Sequence, residues 1–176
     1  KANIGPNNGK KYSLNDKIYI KNSNLKKIIK RKINYNQFTD NIIRIIKGTN
    51  FDYFPKEAKE KFLNEKFLVT NLADRMGIRL KGPKIENNVS TNIKSEGLVR
   101  GVIQVPADGN PIIMLSDHGT IGGYPKIANV ISADLDVVGQ LTPGTKVDFK
   151  EVSLEEAQNI FKAYTEDTNR FLNECN

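Results

Sequence analysis

The sequence predicts a mainly β domain, a barrel or a sandwich, closed by one helix at its C-terminal end. Three observations predict it. From Gly77 onward the chain holds 10 of its 13 glycines and 5 of its 7 prolines. Short apolar runs in that stretch are cut by the turn pairs Gly82-Pro83, Asp108-Gly109 and Pro143-Gly144. No strand–helix–strand rhythm joins the runs, which argues against a parallel sheet with crossover helices. A length of 176 residues, 38% of them apolar and 27% charged, suits a single domain or two small lobes sharing a core.

Each element has its own signal. Residues 1–40 are polar and rich in Asn and Lys, and are expected to form a partly ordered N-terminal segment, the remnant of a preceding lobe. One β-like stretch, Lys17–Ile20, interrupts it, and residues 22–36 read as a long loop or insertion. The domain proper is expected over 41–176. Asn41–Lys47 reads as a strand closed by Gly48. Pro55 opens a short helix near 55–64, with Phe54, Ala58 and Phe62 on one face. Lys66–Thr70 and Ile78–Lys81 alternate like strands. Leu98–Val105, Ile112–Leu115, Ile127–Ile131 and Lys146–Val152 follow between turns. A helix near 154–172 starts with a capping box, Ser153 with Glu156. Its apolar stripe of Leu154, Ala157, Ile160, Phe161, Tyr164 and Phe171 reads as core packing.

Composition excludes several functions. No apolar run reaches the ~18 residues of a membrane span, and no secretory signal opens the chain. The start at Lys-Ala-Asn rather than Met points to a processed or truncated product. One Cys (Cys175) and one His (His118) make neither a disulfide framework nor a Cys/His zinc site, so no metal is expected and a reducing, cytoplasmic location fits. Residues 1–88 hold 20 Lys and Arg against 8 Asp and Glu. Only 6 of the 27 basic residues are Arg, however, and the chain carries 21 Asn and 20 Ile. This reads as A/T-rich codon usage on a solvated surface. The densest run, Lys26–Lys32, lacks aromatics for base stacking. Neither a nucleic-acid nor a membrane partner is expected.

A search for chemistry leaves two segments. Gly5–Lys10 has three residues between its glycines instead of four, and so fails as a phosphate loop. No nucleophile elbow, zinc helix or dinucleotide fingerprint is present. Around Gly77, Arg75 and Arg79 are four apart; if the segment is extended they share a face and can grip a carboxylate or phosphate. Surface ion pairing with Asp74 or Glu96 is the competing reading. The second segment, Gly101–Lys126, runs strand, turn, strand and glycine-rich loop. Gly119–Gly123 can bring backbone N–H groups close to an anion, with Asp117, Tyr124 and Lys126 beside it. A tight turn is the commoner explanation of such glycines. Gln104, mid-strand among Val and Ile, needs a hydrogen-bond partner or a ligand.

These residues carry a resemblance. Ser95–Leu135, Gln140–Ala157 and the Asp-Arg-Met-Gly-Ile-Arg-Leu-Lys-Gly run at Asp74–Gly82 resemble the biotin-dependent carboxyltransferase-like family. That family includes the C subunit of 5-oxoprolinase, allophanate hydrolase subunit 2 and the carboxyltransferase part of urea carboxylase. Ile42–Phe54 is similar to its strand leading into a Gly-Pro-Gln stretch, with Gly48-Thr49-Asn50 here. The loop Asp117–Pro125 departs from the family pattern by losing a Gln and a Thr, at Gly119 and Ile121. The resemblance covers the family's C-terminal half.

The resemblance implies a cyclophilin-like β-barrel and work in a complex. The implied activity is the ATP-dependent hydrolysis of 5-oxoproline to glutamate, by a lactam hydrolase to which the isolated chain would contribute without being active itself. Implied partners are a lobe like the family's B subunit, a lactam-hydrolase A subunit, and the N-terminal half of its own family. Asp117, Tyr124 and Lys126 would be catalytic; Arg75, Arg79, Gln104, Gly122, Gly123 and Glu96 would bind substrate or anion. Two other readings compete. One is the carboxyltransferase domain of a urea carboxylase or allophanate-type enzyme, with biotin supplied in trans because the chain has no Met-Lys pair. The other is a non-catalytic regulator that antagonises a histidine-kinase inhibitor.

Overall fold

A computed structural model describes residues 12–17, 41–89 and 93–175. The strand read at 18–20 and the loop read at 22–36 lie outside them. The chain divides into two units, Lys1–Asn36 and Gln37–Asn176, and the second holds the barrel and every residue of the site. No helix among the described residues is long and apolar enough to cross a membrane.

Seven strands close the barrel. They are β1 (Ile42–Lys47), β2 (Phe67–Val69), β3 (Gly77–Lys81), β5 (Val102–Gln104), β6 (Ile112–Met114), β8 (Lys126–Val130) and β9 (Lys146–Glu151), in the order β1-β8-β5-β6-β3-β2-β9. All neighbours are antiparallel except β1 and β9, which run parallel and close the ring. Closure removes the sheet edges that would otherwise template pairing with other chains. A separate two-stranded sheet joins β4 (Glu96–Gly97) to β7 (Ile121–Gly122).

Alternation fills the interior. Ile43, Ile45, Val69, Leu80, Ile103, Ile113 and Ile127 are almost fully buried. The short helix α1 (Lys56–Asn64) starts after Pro55, as expected, and lays Ala58 and Phe62 into the core together with Phe54. Phe62 stacks on Phe149 of β9 with centroids 4.5 Å apart, and Phe67 tilts against both. Such aromatic pairs add about 0.5–1.5 kcal/mol beyond their buried area. The helix α2 (Leu135–Gly139) follows a 3₁₀ turn, Ser132–Asp134. That turn is fixed by Asp134, whose buried carboxylate accepts the Arg44 backbone N–H (2.7 Å) and the Arg44 guanidinium.

The C-terminal helix α3 (Leu154–Cys175) has the expected capping box. The Ser153 N–H donates to Glu156 at 2.8 Å and the Glu156 N–H to Ser153 Oγ at 3.1 Å. Its apolar stripe is not core packing as a whole. Ala157 is buried, with Ile160 and Tyr164 packed beside it against Ile131 and Ala133. Leu154 and Phe161 are exposed. The reason is length: 22 residues span about 33 Å, and only the first turns lie over the small cluster formed with Ile46 and Val152.

Candidate functional site

The site grows from a row of side chains on the outer wall of the barrel. Arg79 of β3 stands opposite Ile112 of β6, Ile112 opposite Gln104 of β5, and Gln104 opposite Lys126 of β8. Opposed residues of an antiparallel pair share a face. The neighbouring row, Ile78, Ile113 and Ile103, points into the core, so the first row points out. A β-bulge at Ile103/Gln104 places Lys126 in it. Ile103 pairs with Ala128 while Gln104 pairs with Lys126, so Ile127 is the extra residue that offsets the alternation.

The β4–β7 sheet covers half of this row. Lys126 is buried, yet its ammonium donates to Glu96 of β4. The Lys126 N–H donates to Asn50 Oδ1 at 3.0 Å. The hydrogen bond from Lys126 holds the Glu96 carboxyl below the usual carboxylate range. The ammonium is thus held under the flap by one carboxylate, and the backbone that carries it by one buried amide. Gln104, fully buried, donates from Nε2 to the Tyr124 carbonyl at 3.0 Å. Gly122 and Gly123 lie against this cluster. A Cβ on Gly122 would stand 2.8 Å from Gln104 Nε2 and one on Gly123 3.1 Å from the Ile93 carbonyl, while the Ile93 N–H donates to the Gly123 carbonyl at 2.8 Å.

The uncovered half of the row forms a cleft of about 190 Å³. Leu72, Met76, Ile112 and Met114 give it an apolar lining, and Arg79, Gln104, His118 and Tyr124 its polar one, with Asp74 at the turn. Its rim is two loops zipped together. Asp74 Oδ1 accepts the N–H groups of Met76 (2.8 Å) and Gly77 (3.1 Å), so the chain turns at Arg75 and β3 begins at Gly77. Arg75 therefore lies outside the strand, and the extended segment that would put both arginines on one face does not form. Its guanidinium forks onto Asp117, Nε to Oδ2 at 2.9 Å and Nη2 to Oδ1 at 3.3 Å. The Asp117 N–H returns to the Arg75 carbonyl at 3.0 Å. Arg79 makes no ion pair among the described residues.

The structure therefore sorts the residues singled out in the sequence into three groups. Arg79, Gln104 and Tyr124 meet in the cleft. Lys126, Glu96, Gly122 and Gly123 make the wall behind it. Arg75 and Asp117 pair at the rim. Asn50 is visible in the sequence only as a replacement in the Gly-Pro-Gln stretch, and no local pattern reveals its link to Lys126, 76 positions away. His118, too solitary in the sequence for a zinc site, is placed in the cleft by the loop zip.

The closed barrel with its C-terminal helix matches the carboxyltransferase-type fold of urea carboxylase. The chain belongs to the carboxyltransferase domain family, subdomains A and B, whose pattern matches residues 1–151. It is 36% identical to the 5-oxoprolinase C subunit of Escherichia coli over 117 residues, 66% of this chain and 38% of that protein. To the 5-oxoprolinase C subunit of Haemophilus influenzae it is 33% identical over 138 residues, covering 77% and 45% respectively. The crystal structure of the Kluyveromyces lactis urea carboxylase superposes with a TM-score of 0.72 at 29% identity, over 78% of this chain and 13% of that one. The chain spans less than half the length of these relatives.

Proposed function

We propose that this domain recognises a small cyclic amide bearing a carboxylate, of the 5-oxoproline kind, and takes part in its ATP-dependent opening to glutamate. The observation that carries the reading is Arg79, a guanidinium without an ion-pair partner among the described residues, facing a small cleft with apolar walls. 5-Oxoproline is an anion at neutral pH and urea is not, so an unpaired arginine favours the lactam acid. Leu72, Met76, Ile112 and Met114 suit the ring methylenes. The Tyr124 hydroxyl and the Gln104 amide would orient the lactam group, and Lys126 with Glu96 would fix the wall that holds them. ATP supplies activation of the lactam carbonyl in this reading. Turnover requires the rest of the family's machinery, a lobe like the B subunit together with a lactam-hydrolase partner.

A second reading, urea-type carboxyl transfer with biotin supplied in trans, draws on the similarity to urea carboxylase. Calorimetry separates the two. 5-Oxoproline should bind the chain at least tenfold more tightly than 2-pyrrolidinone, which lacks the carboxylate, or urea, as expected for one charge-assisted contact worth roughly 1.5–3 kcal/mol. Equal affinity for the three would refute the lactam-acid reading.

A further inference from the structure

A second cleft, of about 300 Å³, opens on the other side of Arg79. It shares Leu72, Arg79 and Ile112 with the first and adds Lys81, Lys84, Asp108 and Asn110. Its cations are placed by the fold. Arg79 and Lys81 alternate with buried Leu80 on β3 and so share the outer face. After Lys81 the chain bends at Gly82, where a Cβ would stand 2.6 Å from the Phe67 ring. The bend brings Lys84 round to the Pro106–Pro111 turn. That turn is held by Gly109 at φ +73° and by the Ile85 N–H donating to the Gly109 carbonyl at 2.9 Å. None of the three cations forms an ion pair among the described residues. The one carboxylate in the lining, Asp108, accepts the Asn110 N–H at 3.1 Å and the Asn110 Nδ2 at 3.0 Å, and Arg79 and Lys84 act on it from beyond ion-pair distance. Three cations against one carboxylate leave the cleft positive, with its walls fixed by glycine contacts.

We infer that this second cleft is a polyphosphate subsite, formed by Arg79, Lys81 and Lys84, adjoining the first cleft through Arg79. Three separated cations around one concavity match a chain of phosphates better than a single carboxylate, which one guanidinium satisfies. The two clefts would hold two ligands, or two parts of one ligand, on either side of the same arginine. The inference stands apart from the 5-oxoproline reading, because Lys81 and Lys84 do not line the first cleft.

The test is calorimetric titration of the 176-residue chain with tripolyphosphate and, separately, with ATP. Lys81→Ala with Lys84→Ala should weaken tripolyphosphate binding by at least about tenfold, since two charge-assisted contacts are removed. Lys150→Ala with Lys162→Ala removes the same charge elsewhere and should change it by less than about threefold. Both lysine pairs are exposed, and thermal denaturation checks that each variant folds. ATP should follow tripolyphosphate in every variant. If the phosphates alone are read, the two affinities are equal; an added contact to the nucleoside makes ATP the tighter, and either result supports the subsite. 5-Oxoproline binding should be untouched by Lys81→Ala with Lys84→Ala. An equal loss in the two double variants, or no tripolyphosphate binding at all, would overturn the subsite while leaving the lactam reading intact.

Discussion

The side-chain amide of Gln104 occupies the space in which a Cβ on Gly122 would stand, 2.8 Å from Nε2 and 3.2 Å from Oε1. The same space is pressed from the other side by Leu98, whose Cδ1 would lie 2.9 Å away. Gly122→Ala must therefore displace a buried amide from its bond to the Tyr124 carbonyl. The substitution is expected to cost about 1–3 kcal/mol, the range for overpacking. Gly119→Ala meets only the Ile121 carbonyl at 3.5 Å, an ordinary contact, and should stay within about 0.5 kcal/mol. Urea denaturation compares the two; similar midpoints would refute the packing account.

Lys126 and Glu96 are unequally buried, the lysine side chain 5% exposed and the carboxylate 43%. Removing one partner should therefore cost more on one side than on the other. Glu96→Ala leaves a buried ammonium without its carboxylate and is expected to destabilise by at least about 1–3 kcal/mol, the penalty for an unsatisfied buried polar group, which is larger for a charged one. Lys126→Met removes the buried charge and leaves Glu96 reachable by water, so it should cost less. The reverse order in denaturation midpoints would contradict the burial.

The Glu96 carboxyl is held below its usual range chiefly by the Lys126 hydrogen bond. A depressed carboxyl contributes stability that is fully present above the ordinary carboxylate value, about 4.3, and lost as pH falls through the lower folded value. Stability from this pair should be constant between about pH 7 and 5 and decline below about pH 4. Glu96→Gln should flatten that acid limb. Denaturation midpoints measured at each pH for both proteins check it, and parallel acid limbs would contradict it.

The strands of the barrel are legible in the sequence as apolar runs bounded by turn residues, even where, as in β2, β5 and β6, only three residues pair. β4 and β7 have two residues each, too few for any period, and β7 lies hidden in what reads as a glycine loop. Lys126 is legible as a residue of interest, but its orientation is not, because the bulge reverses what alternation predicts. Arg75 is misplaced by its spacing because the Asx turn at Asp74 ends the extended segment. The stripe of α3 is periodic, yet periodicity reports amphipathicity and not what lies beneath it.

That distinction is measurable. Phe62 and Phe161 occupy equivalent-looking stripe positions on α1 and α3, but one is fully buried and the other 45% exposed. Phe62→Ala should cost about 3–5 kcal/mol, as for a core aromatic. Phe161→Ala should stay within about 0.5 kcal/mol, as for a surface change. Comparable losses in thermal denaturation would mean that α3 is covered along its length.

The two arginines of the Asp74–Gly82 run should separate in binding. Arg79 faces both clefts and has no ion pair among the described residues, whereas Arg75, 87% exposed, is committed to Asp117 at the rim. Arg79→Lys keeps the charge but loses the planar fork. It should weaken 5-oxoproline binding about tenfold, the lower end for a charge-assisted contact. Arg75→Lys disturbs only an exposed pair worth about 0–1 kcal/mol of stability, so 5-oxoproline affinity should change by less than about twofold. Calorimetry on both variants decides it. An equal loss in Arg75→Lys would show that Arg75 releases Asp117 to reach the ligand, and that the rim, not the barrel wall, supplies the anion contact.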